Sequence, residues 1–95
     1  MIISEITDCT IVLEKYHECW DFMAMSEVYM KGGPLRIFKH DYSYEMYTAQ
    51  DALFSPDIII LYFNSVPKEF KAGDIIGLKI GIVWYEYNYE NSRTK

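Results

Sequence analysis

The sequence predicts a small β-rich domain, a mainly antiparallel sheet curled as a barrel. Three observations carry that expectation. The chain has 95 residues, of which 51% are hydrophobic and 17% aromatic, enough for one efficient core and for one domain. From Ile76 to Trp84 every even position is large and apolar: Ile76, Leu78, Ile80, Ile82 and Trp84. Successive strand side chains point to opposite faces, so this period of two describes a strand with one buried face. Finally, Ile58–Phe63 is apolar without interruption, the pattern of a strand covered on both sides. The alternative is an α+β fold, with an amphipathic helix at 11–24 packed on an antiparallel sheet. One globular domain is expected over 1–90, with 91–95 a polar, frayed tail.

The elements follow in order. Residues 1–13 are rich in β-branched side chains (Ile2, Ile3, Ile6, Thr7, Thr10, Ile11, Val12), and a strand is predicted near 2–7. Over 11–24 helix and strand compete. A helical wheel puts Val12, Leu13, Tyr16, Cys19, Trp20, Met23 and Ala24 on one face and Glu14, His17, Glu18 and Asp21 on the other. Against that helix, Phe22, Met25, Val28 and Tyr29 fall off the apolar face. Gly32-Gly33 supplies positive φ at low cost, so strands at 26–31 and 34–39 are predicted as a hairpin. Tyr42, Tyr44 and Met46 alternate as a strand over 42–47 would. A helical turn is predicted near 48–54, where Thr48 and Asp51 stand at capping-box spacing. Strands are predicted at 57–64 and, after the turn at Gly73-Asp74, over the long span 74–89.

The run Val66-Pro67-x-x-Phe70-x-x-Gly73-Asp74-Ile75-Ile76 is similar to a turn in the C-terminal barrel of elongation factor Tu. The resemblance covers residues 66–76 and implies a barrel-like fold. The chemistry of the translation GTPases lies in another of their domains, and this chain contains no P-loop.

Nine basic and fourteen acidic residues give a formal net charge of −5. Cations are needed to displace counterions from nucleic-acid phosphates and to bind anionic lipid, so the balance argues against both partners. It permits a basic protein partner, and it also keeps a small domain in solution. Two cysteines do not make a disulfide scaffold. The N-terminus has no basic region, and the longest apolar run, Ile58–Phe63, is far too short to span a bilayer, so a reduced, cytoplasmic setting is expected.

Candidate chemistry is sparse. Cys9, His17, Cys19 and His40 are zinc-type ligands, but no C-x2-C or H-x3-H spacing joins them, and no metal or other cofactor is expected. Cys19 has His17 two residues away and His40 precedes Asp41, yet no motif places a nucleophile beside a base. No catalytic residues are assigned. Glu14, Glu18 and Asp21 would line one ridge of a helix at 11–24, either as a solvated face or as a docking surface for a Lys/Arg-rich partner. Tyr85, Tyr87 and Tyr89 alternate at odd positions after Trp84. Either a bulge flips the register there, or these tyrosines stand opposite the core; they form a second small core or an interface. Gly77 and Gly81 flank Lys79 and leave room for a backbone or an aromatic ring, with internal packing the plainer use.

The expected function is therefore a non-enzymatic, acidic protein-binding domain, an inhibitor, immunity-type protein or adaptor that covers a basic surface through Glu14, Glu18, Asp21 and the Tyr85/Tyr87/Tyr89 edge. The alternatives are a homo-oligomeric structural module that self-associates through the C-terminal strand, and a small enzyme or ligand-binding barrel.

Overall fold

The computed structural model describes residues 1–14, 22–39 and 45–85. Eight strands and one helix follow in the order β1 (Ile2–Ile6), β2 (Thr10–Glu14), α1 (Phe22–Met30), β3 (Leu35–Lys39), β4 (Met46–Thr48), β5 (Asp51–Phe54), β6 (Ile58–Tyr62), β7 (Ile76–Ile80) and β8 (Val83–Tyr85). They form two four-stranded antiparallel sheets. The first has the order β1-β2-β6-β5 and the second β4-β3-β7-β8. The expected β-rich architecture is present with one short helix, so the α+β alternative describes it better. The expected barrel does not close among the described residues. Two corners tie the sheets without completing a ring. At one, β1 meets the lead-in to β7 through the single bridge Ile2↔Ile75, backed by bonds from the Ile3 amide to Asp74 and from the Gly73 amide to Ile3. At the other, the chain passes from β4 to β5 through Ala49-Gln50. The Ala49 amide bonds Leu35 of the second sheet, and the next amide, Gln50, bonds Tyr62 of the first.

The core lies between the inner faces. Ile3, Ile11, Leu13, Ile59 and Leu61 come from the first sheet, and Leu35, Ile37, Ile76, Leu78 and Ile80 from the second, all essentially without exposure. Each set alternates along its strands, as the period of two requires. The apolar run Ile58–Phe63 splits the same way: Ile59 and Leu61 enter the core, while Ile58 and Ile60 are half-buried on the outer face.

Three sequence expectations are corrected here, and one that stood open is decided in part. Of the helix and strand that compete over 11–24, strand holds through Glu14 in β2, where Ile11 and Leu13 alternate into the core while Val12 pairs with Ile60 on the other face, and helix holds over 22–24 as the start of α1. Residues 15–21 lie outside the described residues. The strand expected at 26–31 is instead the second half of α1. Met25, Val28 and Tyr29 recur at helical spacing and join the core, the same residues that fell off the face of a helix begun at 11. Gly32 turns no hairpin. It ends α1 with φ +94° and donates its amide to Tyr29, the left-handed close that favours glycine. The helical turn at 48–54 is strand: Ala52 and Phe54 pack on the core, Asp51 and Leu53 face out. The long strand at 74–89 is a hairpin up to Tyr85. Ile80 pairs with Val83 around the two-residue loop Gly81-Ile82, and Gly81 has the positive φ (+60°) that primed hairpin turns need.

The strand expected at 42–47 is described only from residue 45, and β4 holds Met46–Thr48. The segment 66–76, similar to the elongation-factor turn, carries β6 to β7 across the open end of the core. Phe70 is buried there, with Tyr47 edge-on at 5.3 Å, and Asp74 accepts from the Lys71 amide and pairs with Lys39 at 3.3 Å.

Candidate functional site

The predicted partner-binding residues do not come together in the described part of the molecule. Glu14 is exposed at the end of β2, between Ile2 and Ile58 on neighbouring strands. It stands on a sheet and not on a helical ridge. Glu18, Asp21, Tyr87 and Tyr89 lie outside the described residues. Tyr85 pairs with Leu78 and packs half-buried against the core. The register therefore flips before Trp84: Val83 and Tyr85 stand opposite the core residues Ile80 and Leu78, and Trp84 stands opposite Lys79 on the outer face. The cause is the turn at Gly81-Ile82, which reverses the chain, and not a bulge.

Of the zinc-type ligands, Cys9 is an exposed thiol in the β1–β2 turn; His17, Cys19 and His40 lie outside the described residues. Among the described residues no three His, Cys, Asp or Glu side chains cluster in a way that would hold a metal ion. An open recess of about 370 Å³ lies between the β1–β2 turn and the β6–β7 loop, with Ile6, Val66 and Phe70 as its apolar wall and Asp8 and Lys68 on its rim. Thr7 and Ser65 add hydroxyls to the same lining. No helix among the described residues is long and apolar enough to cross a membrane.

The outer faces of the two sheets differ sharply in chemistry. Across the second sheet, Thr48, Arg36, Lys79 and Trp84 stand in one cross-strand row, and the Lys79 ammonium sits 4.7 Å from the centre of the Trp84 ring. In the next row the Phe38 ring lies across Gly77, edge-on to Trp84 at 5.4 Å. Phe38 is fully buried yet is not part of the inter-sheet core, so internal packing accounts for Gly77. Gly81 belongs to the turn, where its amide bonds Pro34 and its backbone lies against Gly33.

The first sheet is the acidic one. Its strands and connecting turns hold Glu5, Asp8, Glu14, Asp51 and Asp57, and among the described residues none of its side chains is Lys or Arg. The second sheet and the loop leading into it hold Arg36, Lys39, Lys68, Lys71 and Lys79 against Glu45, Glu69 and Asp74. The described charges are thus divided unevenly between one acidic face and one mixed face. On the acidic face the outward residues form three rows: Ile2–Glu14–Ile58, then Glu5–Val12–Ile60–Leu53, then Thr10–Tyr62–Asp51. Leu53 is 54% exposed and Tyr62 39%.

Sequence reasoning missed Glu5, Val12, Asp51, Leu53, Ile60 and Tyr62 as one surface. A signal was present: residues 1–14 and 40–67 contain no Lys or Arg, and these stretches supply all four strands of the first sheet.

At the edge of this face, the Tyr29 hydroxyl reaches from α1 and donates to Asp51 Oδ1 at 3.2 Å. Desolvation raises the Tyr29 pKa above the usual tyrosine value, and the hydrogen bond to Asp51 and its negative charge add to the rise. Burial raises Tyr85 in the same direction. The folded state then holds these protons more tightly than the unfolded chain. Their contribution is complete below the unfolded value of about 10 and is lost as pH climbs through the folded-state values. The urea midpoint should fall as pH rises above about 10, and Tyr29→Phe should shallow that fall without removing the part due to Tyr85. An unchanged alkaline slope in Tyr29→Phe would show that the bond to Asp51 does not hold the proton.

Set against known protein families, curated proteins and solved structures, the chain matches none.

Proposed function

We propose that this chain is a small non-enzymatic protein-binding domain, an inhibitor or adaptor of the immunity-protein kind, that acts by covering a basic surface of another protein. The observation that carries this reading is the segregation of charge. Four carboxylates on the outer face and the β5–β6 turn of one sheet, Glu5, Glu14, Asp51 and Asp57, with no described Lys or Arg on those strands, create a local field stronger than the same charges dispersed, while Asp8 shares its recess with Lys68. Such a field accelerates encounter with a cationic surface and rejects anionic ones.

The test is capture of the partner from native lysate on the tagged chain at low salt and at about 1 M salt, where the Debye length is roughly 3 Å. It is repeated with Glu5→Lys/Glu14→Lys/Asp57→Lys. The expected result is a basic protein held by the native chain at low salt, released at high salt and not captured by the variant. A partner captured equally by both forms, or one without a basic surface, overturns the reading.

A second reading has its own support. β8 is an edge strand beside the exposed Ile82, Val83 and Trp84, an arrangement that suits pairing with another copy. Light scattering on the same samples separates the two: a monomer at all concentrations rejects self-association.

A further inference from the structure

We infer that the outer face of the first sheet is the docking surface, and that its occupant is a basic amphipathic helix of the partner lying across the strands. This rests on the protein-binding reading above and names the surface and the ligand class.

The geometry of the rows selects the occupant. Val12, Ile60 and Leu53 are opposite one another on β2, β6 and β5, so they form an apolar line perpendicular to the strands. Adjacent strands are about 4.8 Å apart, which makes the line roughly 10 Å long. Two turns of α-helix rise about 10.8 Å, so apolar residues spaced i, i+3 or i+4, and i+7 meet the line along its length. The acids stand where the flanks of such a helix would fall. Glu14 and the neighbouring Asp57 turn are on one side, Asp51 is on the other, and Glu5 closes the end of the apolar row beside Val12. A helix with Lys or Arg on both flanks of an apolar stripe would set a cation against each carboxylate while its stripe covers Leu53. An apolar centre with a charged rim is also the usual anatomy of a protein interface. The face of the second sheet lacks this pattern: its outward row carries Arg36 and Lys79, which would repel the same ligand. The chain's own helix is engaged elsewhere, with Met25, Val28 and Tyr29 in the core.

The experiment uses the full chain and two labelled peptides of about 14 residues, a length that spans roughly 21 Å as a helix. One is a Leu/Lys peptide with leucines on a single helical face. The other has the same composition scrambled, so that charge is kept and the stripe is lost. Binding is read by fluorescence anisotropy and mapped by amide chemical shifts. The amphipathic peptide is expected to bind at least roughly tenfold tighter than the scrambled one, to shift the Val12, Leu53, Ile60 and Tyr62 amides, and to lose roughly tenfold in affinity with Leu53→Lys. Leu53 is half-exposed on an edge strand, so that variant keeps the fold, and its own amide spectrum confirms this. Ile82→Lys, at the far hairpin, should leave binding unchanged. Equal affinity for the two peptides, no binding of either, or shifts centred on Ile82–Trp84 overturns the inference. The protein-binding reading fails separately. A captured partner that is lost on acid reversal but kept by Leu53→Lys leaves that reading intact and removes only this surface.

Discussion

Leu78→Ala should lower stability by about 2–5 kcal/mol, the range for deleting a fully buried leucine. Leu78 has no exposure and sits on β7 with Ile37 opposite on β3 and Tyr85 opposite on β8. Removing its side chain therefore opens a gap bordered on three strands, and a closely packed interior of β-branched neighbours relaxes only in part. A domain of this size has about 5–15 kcal/mol to lose, and each kcal/mol moves Tm by roughly 4–8 °C. Urea unfolding followed by tryptophan fluorescence measures the change. The control is Ile82→Ala, 89% exposed at the β7–β8 turn, which should stay within about 0.5 kcal/mol of the native chain. A loss below about 1 kcal/mol for Leu78→Ala would mean that the two sheets do not close on this residue.

The second large effect is one of sign. Gly77→Ala in a strand ordinarily stabilises by about 0.4–1 kcal/mol, because alanine restricts the unfolded chain more than glycine does. Here it should cost about 1–3 kcal/mol. A Cβ on residue 77 would lie 2.4 Å from Phe38 Cζ and 2.7 Å from Cε2. The ring is fully buried and has Trp84 at its edge, so it has no open space to swing into. The cause is testable by pairing. Phe38→Leu costs stability on its own, but it removes the ring that the new methyl meets. In the Phe38→Leu background, Gly77→Ala should cost much less, giving a coupling energy within the range of about 0.5–3 kcal/mol seen for residues in contact. Additive effects would place the strain elsewhere. Intact far-ultraviolet dichroism at low temperature separates strain at one site from loss of the fold.

How much of this was legible in the sequence varies by element. The strand expected at 34–39 is present as Leu35–Lys39, one residue after the expected start at Pro34, although the hairpin from which it was inferred is not. The strand at 57–64 was legible from composition alone, since Ile58–Tyr62 has no helix-favouring residue except Leu61. The stripe Met25, Val28, Tyr29 was visible too, but it was judged against a helix begun eleven residues too early, and it then counted as evidence for strand. Gly32 shows why such errors arise. Positive φ closes a helix as readily as it turns a hairpin, and only what precedes the glycine decides which. Gly81 was read as part of a strand because Ile82 and Trp84 continue the even-numbered pattern. In the fold Ile82 is the most exposed large apolar side chain described. Of the candidate surface, Glu14 was found, and its neighbours were not. Glu5, Val12, Ile60 and Leu53 are distant in sequence and meet only when β1, β2, β6 and β5 pair.

The sequence by itself determined the β-rich class, most of the strands that carry the core and the overall excess of acid. Those follow from side-chain alternation and composition, which are properties of short windows. Tertiary structure decided three further things: that two sheets form in place of one closed barrel, that β4 hands its chain to β5 across a corner, and that the carboxylates gather on one face. Each depends on which strands pair. Pairing is settled by burying Leu13, Leu61, Ile37 and Leu78 together, a gain shared among residues far apart in the chain and invisible in any one segment.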